Sequence, residues 1–135
     1  MAFLVVEKGN ASDLGKMFPL GTTTVIIGRK AIDPSADIVL NDGFISRRHA
    51  EIVYKDGSYM IRDLGSTNGT TLDGKMVNDM KHNLLKPDSV IGLGINDQTT
   101  RIILIFKDTD ATITFTKDEL SEVNNEVVPK IWTGG

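Results

Sequence analysis

Three short segments carry the side chains best suited to chemistry: Ile27-Gly28-Arg29-Lys30, Ser46-Arg47-Arg48-His49-Ala50 and Gly65-Ser66-Thr67-Asn68-Gly69-Thr70. Arg29, Arg47 and Arg48 offer charge-assisted and potentially bidentate hydrogen-bond donors. Ser46 and Thr67 add hydroxyls. Backbone N–H groups of the turns add further donors. Together these groups are what a phosphate needs. The carboxamide of Asn68 both donates and accepts, which suits a grip on a peptide backbone.

Taken singly, each element has a plainer use. Arg29 alone is a solvated charge at a strand end, Ser46 alone caps a turn, and Asn68-Gly69 alone is a hairpin turn. Arg47-Arg48 alone is an exposed pair. Ser46 and His49, three residues apart, suggest a nucleophile and its base. No oriented acid and no nucleophile-elbow pattern accompanies them. His49 is therefore expected to be structural and to fix the Ser46 loop.

The loops need strands to hold them. Asp42-Gly43, Asp56-Gly57, Asn68-Gly69 and Asp73-Gly74 mark turns, because both residue types of each pair tolerate positive φ. Between turns, strands are expected at Phe3 to Val6, Thr23 to Ile27, His49 to Tyr54, Tyr59 to Leu64, Ser89 to Leu93 and Arg101 to Phe106. Weaker runs are Met17 to Leu20, Asp37 to Leu40, Thr70 to Leu72 and Lys75 to Val77. The clearest hairpin runs from His49 to Leu64. In it Ala50, Ile52 and Tyr54 alternate with Glu51 and Lys55 around a turn at Asp56-Gly57-Ser58. Many short strands about ten residues apart, with no long helical pattern, predict an all-β sandwich.

Composition sets the limits. The 135 residues make one domain, with no room for a cofactor domain beside a substrate domain. With 40% hydrophobic and 24% charged residues, wholesale disorder is excluded. A net charge of −3 argues against non-specific binding to nucleic acid or anionic lipid. Zero cysteines exclude disulfides, thiolate zinc sites, iron–sulfur clusters and a cysteine nucleophile. His49 and His82 are the two histidines, and neither has acidic neighbours at metal-ligand spacing, so no metal is expected. Nucleotide-binding glycine loops are absent, and no cofactor is expected. No signal peptide or membrane span is legible, which fits a cytoplasmic protein. The stretch from Asp108 to Gly135 reads differently, with one candidate strand (Thr112 to Thr116) and a polar candidate helix (Lys117 to Asn125).

In order and spacing the three segments resemble the forkhead-associated (FHA) domain, a phosphothreonine-peptide binding module. Gly28-Arg29 looks like the family's Gly-Arg at the end of its third strand. Ser46-Arg47-Arg48-His49 looks like its Ser-x-x-His, and Asp63-Leu64-Gly65-Ser66-Thr67-Asn68-Gly69-Thr70 is similar to its most recognisable stretch. Asp73-Gly74 and Leu85 to Gly94 match the usual continuation. The resemblance covers about Ala2 to Asp108, which implies a division into a sandwich (1–108) and a C-terminal extension or truncated linker (109–135).

The resemblance implies an FHA/SMAD-like sandwich of two twisted sheets, about eleven strands, with binding loops at one end. It implies that Arg29 pairs with the phosphate and contacts the peptide backbone. Ser46 donates its hydroxyl to a phosphate oxygen, and Arg47 is the second cationic ligand. Thr67 adds a hydroxyl or N–H near the phosphate, and Asn68 holds the flanking backbone. Gly28, His49 and Gly69 support the site, while Arg48 points away or adds long-range attraction. Phe44, two positions before Ser46, is the candidate for reading the third residue after the phosphothreonine, favouring an apolar one. The implied function is a non-enzymatic interaction module in Ser/Thr kinase signalling, with a phosphothreonine protein or peptide as partner. Alternatives are a sensor domain of a longer protein and a phosphate-independent scaffold. A further version is self-recognition, in which a phosphorylated Thr109, Thr112, Thr114 or Thr116 fills the site of its own or a neighbouring chain.

Overall fold

A computed structural model describes residues 1–32, 35–77 and 80–109. The candidate strand at 112–116 and the candidate helix at 117–125 lie outside the described residues. Among the described residues eleven strands run in order: β1 (Ala2–Lys8), β2 (Met17–Leu20), β3 (Val25–Arg29), β4 (Ile38–Leu40), β5 (Ala50–Lys55), β6 (Ser58–Asp63), β7 (Thr70–Leu72), β8 (Lys75–Met76), β9 (Asn83–Leu84), β10 (Val90–Asn96) and β11 (Thr99–Asp108). No helix occurs among the described residues. One sheet has the order β2-β1-β11-β10-β7-β8, and the other β4-β3-β5-β6-β9. The expected all-β sandwich is the observed fold.

The core follows the period of two. Leu4 and Val6 on β1, Ile52 on β5, Ile91 and Leu93 on β10, and Ile102, Leu104 and Phe106 on β11 are all buried. Alternate residues of β1, β5 and β11 face the opposite sheet, which is what the sequence pattern requires. Tyr59 packs against Phe106, with ring centroids 5.7 Å apart. The Tyr59 hydroxyl reaches the Gly21 carbonyl at 2.8 Å, so its polar tip is satisfied at the rim of the core.

Two of the expected turns show left-handed backbone at both central residues. Asp56 and Gly57 have φ of 52° and 82°, and Asp73 and Gly74 have 51° and 86°, the twist that tight hairpins demand. The β10–β11 turn does the same without glycine, at Asp97 (49°) and Gln98 (65°).

The pairing decides what meets at each end. β3 and β4 are parallel, with Arg29 opposite Leu40, so both strands deliver their C-terminal ends to the same side. β5 begins there, with Ala50 opposite Ile27 and Asp63. β7 begins there too, with Thr70 opposite Leu93. The chain leaving Arg29 and the loops at 41–49 and 64–69 therefore crowd one end of the sandwich. Asp108 and Ala2 pair at the other end.

Candidate functional site

A close backbone approach starts the site. Gly28 is buried in β3, and a Cβ on it would fall on the Arg47 carbonyl. Only glycine lets the Ser46–His49 loop lie this close over the strand. The loop is then stitched down: the Arg29 N–H donates to the Ser46 carbonyl at 3.0 Å, and the His49 N–H to the Ile27 carbonyl at 2.9 Å. Gly28→Ala is expected to destabilise the domain by about 1–3 kcal/mol through overpacking. Chemical denaturation measures it, and an unchanged midpoint would show that the Arg47 carbonyl can retreat freely.

His49 joins two loops. Its Nδ1 accepts from the Ser46 N–H at 3.1 Å, and its Nε2 lies 2.8 Å from the Gly69 carbonyl. These partners define the neutral tautomer with the proton on Nε2. Both ring nitrogens are occupied, and neither touches the Ser46 hydroxyl or the Asp63 carboxylate. The Ser46/His49 spacing therefore builds a clamp, not a nucleophile–base pair. The ring is fully buried. Burial holds its pKa below the usual imidazole value of 6.5, outweighing the Gly69 carbonyl and the Asp63 charge. The unfolded chain thus binds the proton more readily than the folded one. Stability is complete above about pH 6.5 and is expected to fall by up to about 1.4 kcal/mol per pH unit below it, until the folded imidazole titrates. Thermal unfolding between pH 7.5 and 5 checks this, and a midpoint that is flat over that range would contradict it.

The loop from Gly65 to Gly69 is organised by Asp63, which sequence reasoning quoted within the motif but gave no role. Its carboxylate accepts from the Gly65 N–H (2.9 Å), the Ser66 N–H (3.0 Å), the Ser66 hydroxyl (2.6 Å) and the Thr70 hydroxyl (2.7 Å). The Ser66 Oγ in turn accepts from the Gly69 N–H at 3.0 Å. Gly69 has φ of 85°, a conformation that favours glycine. The signal that could have found Asp63 is its position: it continues the inward series of Ile61 on β6, where a carboxylate must be fully bonded.

These loops bring the five predicted ligand residues together. Arg29 spends its Nε on the Ile45 carbonyl at 3.1 Å, which anchors the side chain and leaves both Nη groups for a ligand. The Thr67 N–H donates to Ser46 Oγ at 3.2 Å. The hydroxyl of Ser46 is thereby held as an acceptor on one side, with its own proton available on the other. Asn68 donates one amide N–H to the Phe44 carbonyl at 2.7 Å, which leaves Oδ1 and the second N–H. Arg47 and Thr67 are exposed. Arg48 turns aside, its guanidinium reaching the Ser35 carbonyl at 3.3 Å. Phe44 lies next to the site, with the Arg101 guanidinium over its ring at 5.6 Å.

Thr109 sits at the far end, its N–H bonded to the Met1 carbonyl. Asn68 is level with Ile95, and Ile95 pairs Thr100. From Thr100 to Thr109 the strand spans roughly 30 Å. Thr112, Thr114 and Thr116, the other candidates for self-recognition, lie outside the described residues.

Comparison with known proteins agrees with this geometry. A family model described as the FHA domain matches residues 25–94. An oxoglutarate dehydrogenase inhibitor of Corynebacterium diphtheriae is 45% identical over 67 residues, which are 50% of this chain and 43% of that protein. The glycogen accumulation regulator GarA of Mycolicibacterium smegmatis is 40% identical over 76 residues, 56% of this chain and 45% of that one. The matched region is thus under half the length of these curated relatives. Among solved structures, an FHA domain from Chlamydia trachomatis superposes with a TM-score of 0.64 at 34% identity, covering 79% of this chain and 96% of that one. With the loops, the clamp and the family match in agreement, the chain belongs to the forkhead-associated (FHA) domain family.

Proposed function

We propose that this chain is a non-enzymatic, phosphothreonine-dependent interaction module in Ser/Thr kinase signalling. One observation carries the reading: Arg29, Ser46, Arg47, Thr67 and Asn68 converge at one end of the sandwich with donors the protein does not use. Phosphothreonine brings about −1.5 to −2 charges and three strong acceptors. Each hydrogen bond to such a group nets roughly 1.5–3 kcal/mol. An unphosphorylated threonine leaves Arg29 and Arg47 without an anion, so binding is switched by the phosphate. Asn68 holds the peptide backbone, and Phe44 favours an apolar third residue after the phosphothreonine.

A regulatory, partner-binding role has support in the names of relatives. GarA is a regulator by name, and the FHA domain of FhaA has been solved in complex with the intracellular domain of another protein. We place the binding unit at 1–108, since β11 ends at Asp108, with 109–135 as an extension. A cytoplasmic location belongs to the same reading, and no helix among the described residues is long and apolar enough to cross a membrane.

The test is a fluorescence anisotropy titration with a degenerate phosphothreonine peptide pool, its unphosphorylated twin and a phosphoserine pool. Binding to the phosphothreonine pool alone is the expected result. Equal binding to the unphosphorylated pool would favour a phosphate-independent scaffold instead.

A further inference from the structure

A second concavity adjoins the phosphate loops. It holds about 460 Å³, with Lys8, Asn41, Asp42, Thr99, Thr100 and Arg101 in its lining. It lies where the ends of β1, β4 and β11 meet, on the same end of the sandwich as Arg29 and Ser46. A continuous path joins the two. Asn68 bonds the Phe44 carbonyl at 2.7 Å, Arg101 covers the Phe44 ring, and Arg101 is also a wall of the cleft.

The charges of the cleft are unequally engaged. Asp42, the one carboxylate among the described residues of the lining, has both oxygens occupied. Its Oδ1 accepts from the Phe44 N–H at 2.8 Å, and its Oδ2 from Arg101 Nε at 3.2 Å. The Asn41 carboxamide is fixed by donating to Asp13 Oδ1 at 2.9 Å, and Asp13 is itself buried. The Lys8 ammonium has no partner among the described residues, and Arg101 keeps its two Nη groups. The hydroxyls of Thr99 and Thr100 add short donors beside them. What the cleft offers a visitor is cation and donor, with its acid already neutralised.

We propose that this cleft binds an acidic flank of the phosphothreonine peptide, at positions beyond the residue that meets Phe44. The proposal rests on the phosphopeptide reading and extends it: the loops recognise the phosphate, and the cleft selects partners by carboxylates further along the chain. An exposed pair of cations steers and adds modest affinity, weakened by salt.

The experiment compares three forms of the degenerate phosphothreonine pool by anisotropy at low salt. One form ends three residues from the phosphothreonine on each side. The others extend it on the N-terminal or the C-terminal side with four glutamates, each paired with a four-glutamine twin. The C-terminal glutamate form is expected to bind about fivefold tighter than its glutamine twin, and the N-terminal form to match its twin. Lys8→Glu should abolish that gain, Arg101→Gln should reduce it, and the short pool should bind the Lys8→Glu protein within about twofold of wild type. Equal binding of the glutamate and glutamine forms on the C-terminal flank would overturn the proposal, as would a gain that survives Lys8→Glu. If the short pool itself fails to bind, the phosphopeptide reading falls and takes the cleft proposal with it. If the short pool binds and only the gain is missing, the cleft proposal alone is wrong.

Discussion

Arg29→Ala is expected to weaken phosphothreonine-peptide binding by about a hundredfold while the sandwich stays folded. The guanidinium has one donor tied to the Ile45 carbonyl and two nitrogens left for phosphate oxygens. Losing two charge-assisted bonds, each worth roughly 1.5–3 kcal/mol, removes at least about 3 kcal/mol, and each 1.4 kcal/mol is tenfold in affinity. The cost to folding is smaller. The Ile45 carbonyl loses a partly buried partner, worth about 1 kcal/mol. Arg29→Lys keeps the charge but not the planar fork, and should recover only part of the loss. Calorimetric titration of each variant, with a denaturation curve beside it, reads both quantities. A folded Arg29→Ala protein that binds as tightly as wild type would remove Arg29 from the site.

The second large effect belongs to Asp63. Its side chain is 1% exposed and holds four donors from Gly65, Ser66 and Thr70. Asp63→Ala strands the fully buried Thr70 hydroxyl and frees the 64–69 loop. The expected loss is about 3–5 kcal/mol of stability, with peptide binding lost alongside it because Thr67 and Asn68 ride on that loop. Asp63→Asn keeps the volume and one acceptor oxygen, and should cost less if the alanine protein does not fold. Acid adds an independent readout. Burial alone would raise the Asp63 pKa, but the bonds from Ser66, Thr70 and Gly65 prevail and hold it below the usual 3.8. Asp13 is lowered too, its burial overcome by Asn41 and Lys16. Stability from these carboxylates is present above about pH 3.8 and lost as pH falls through their folded pKa values. Acid unfolding should therefore show two stages, the His49 stage beginning below about pH 6.5 and the carboxylate stage below about 3.8. Asp63→Asn should shrink the second stage and, by removing a charge that raises the His49 pKa, extend the first toward lower pH.

Much of this was legible in the sequence because local rules governed it. Asp56-Gly57 and Asp73-Gly74 announce tight turns, and the alternation through Ala50 and Ile52 gives the face of β5. Donor chemistry marks Arg29, Ser46, Arg47, Arg48, Thr67 and Asn68, the family resemblance assigns ligand roles to all but Arg48, and the sandwich brings those five to one end. His49 was expected to be structural, and its two bonds supply the reason. What was not legible depends on distant partners. β9 is two residues, Asn83–Leu84, and exists only because β6 offers its edge at Met60 and Ile61. The β10–β11 turn uses Asp97 and Gln98, with no glycine to mark it. The parallel pairing of β3 and β4 is invisible locally, yet it sets Arg29 beside the loop after Leu40. Asp63 ends β6, and its inward direction emerges only in the fold. Arg101 is remote in sequence from Phe44, so nothing along the chain joined them.

The most direct test of the central claim is a two-dimensional NMR titration of the ¹⁵N-labelled chain with the phosphothreonine pool and its unphosphorylated twin. The account predicts shifts at Arg29, at Phe44 to Arg47 and at Gly65 to Gly69, with the Arg29 side-chain Nε–H moving as well. The unphosphorylated twin should leave these signals in place. Shifts confined to the opposite end, around Tyr54, Gly57 and Tyr59, or identical shifts with both pools, would contradict it.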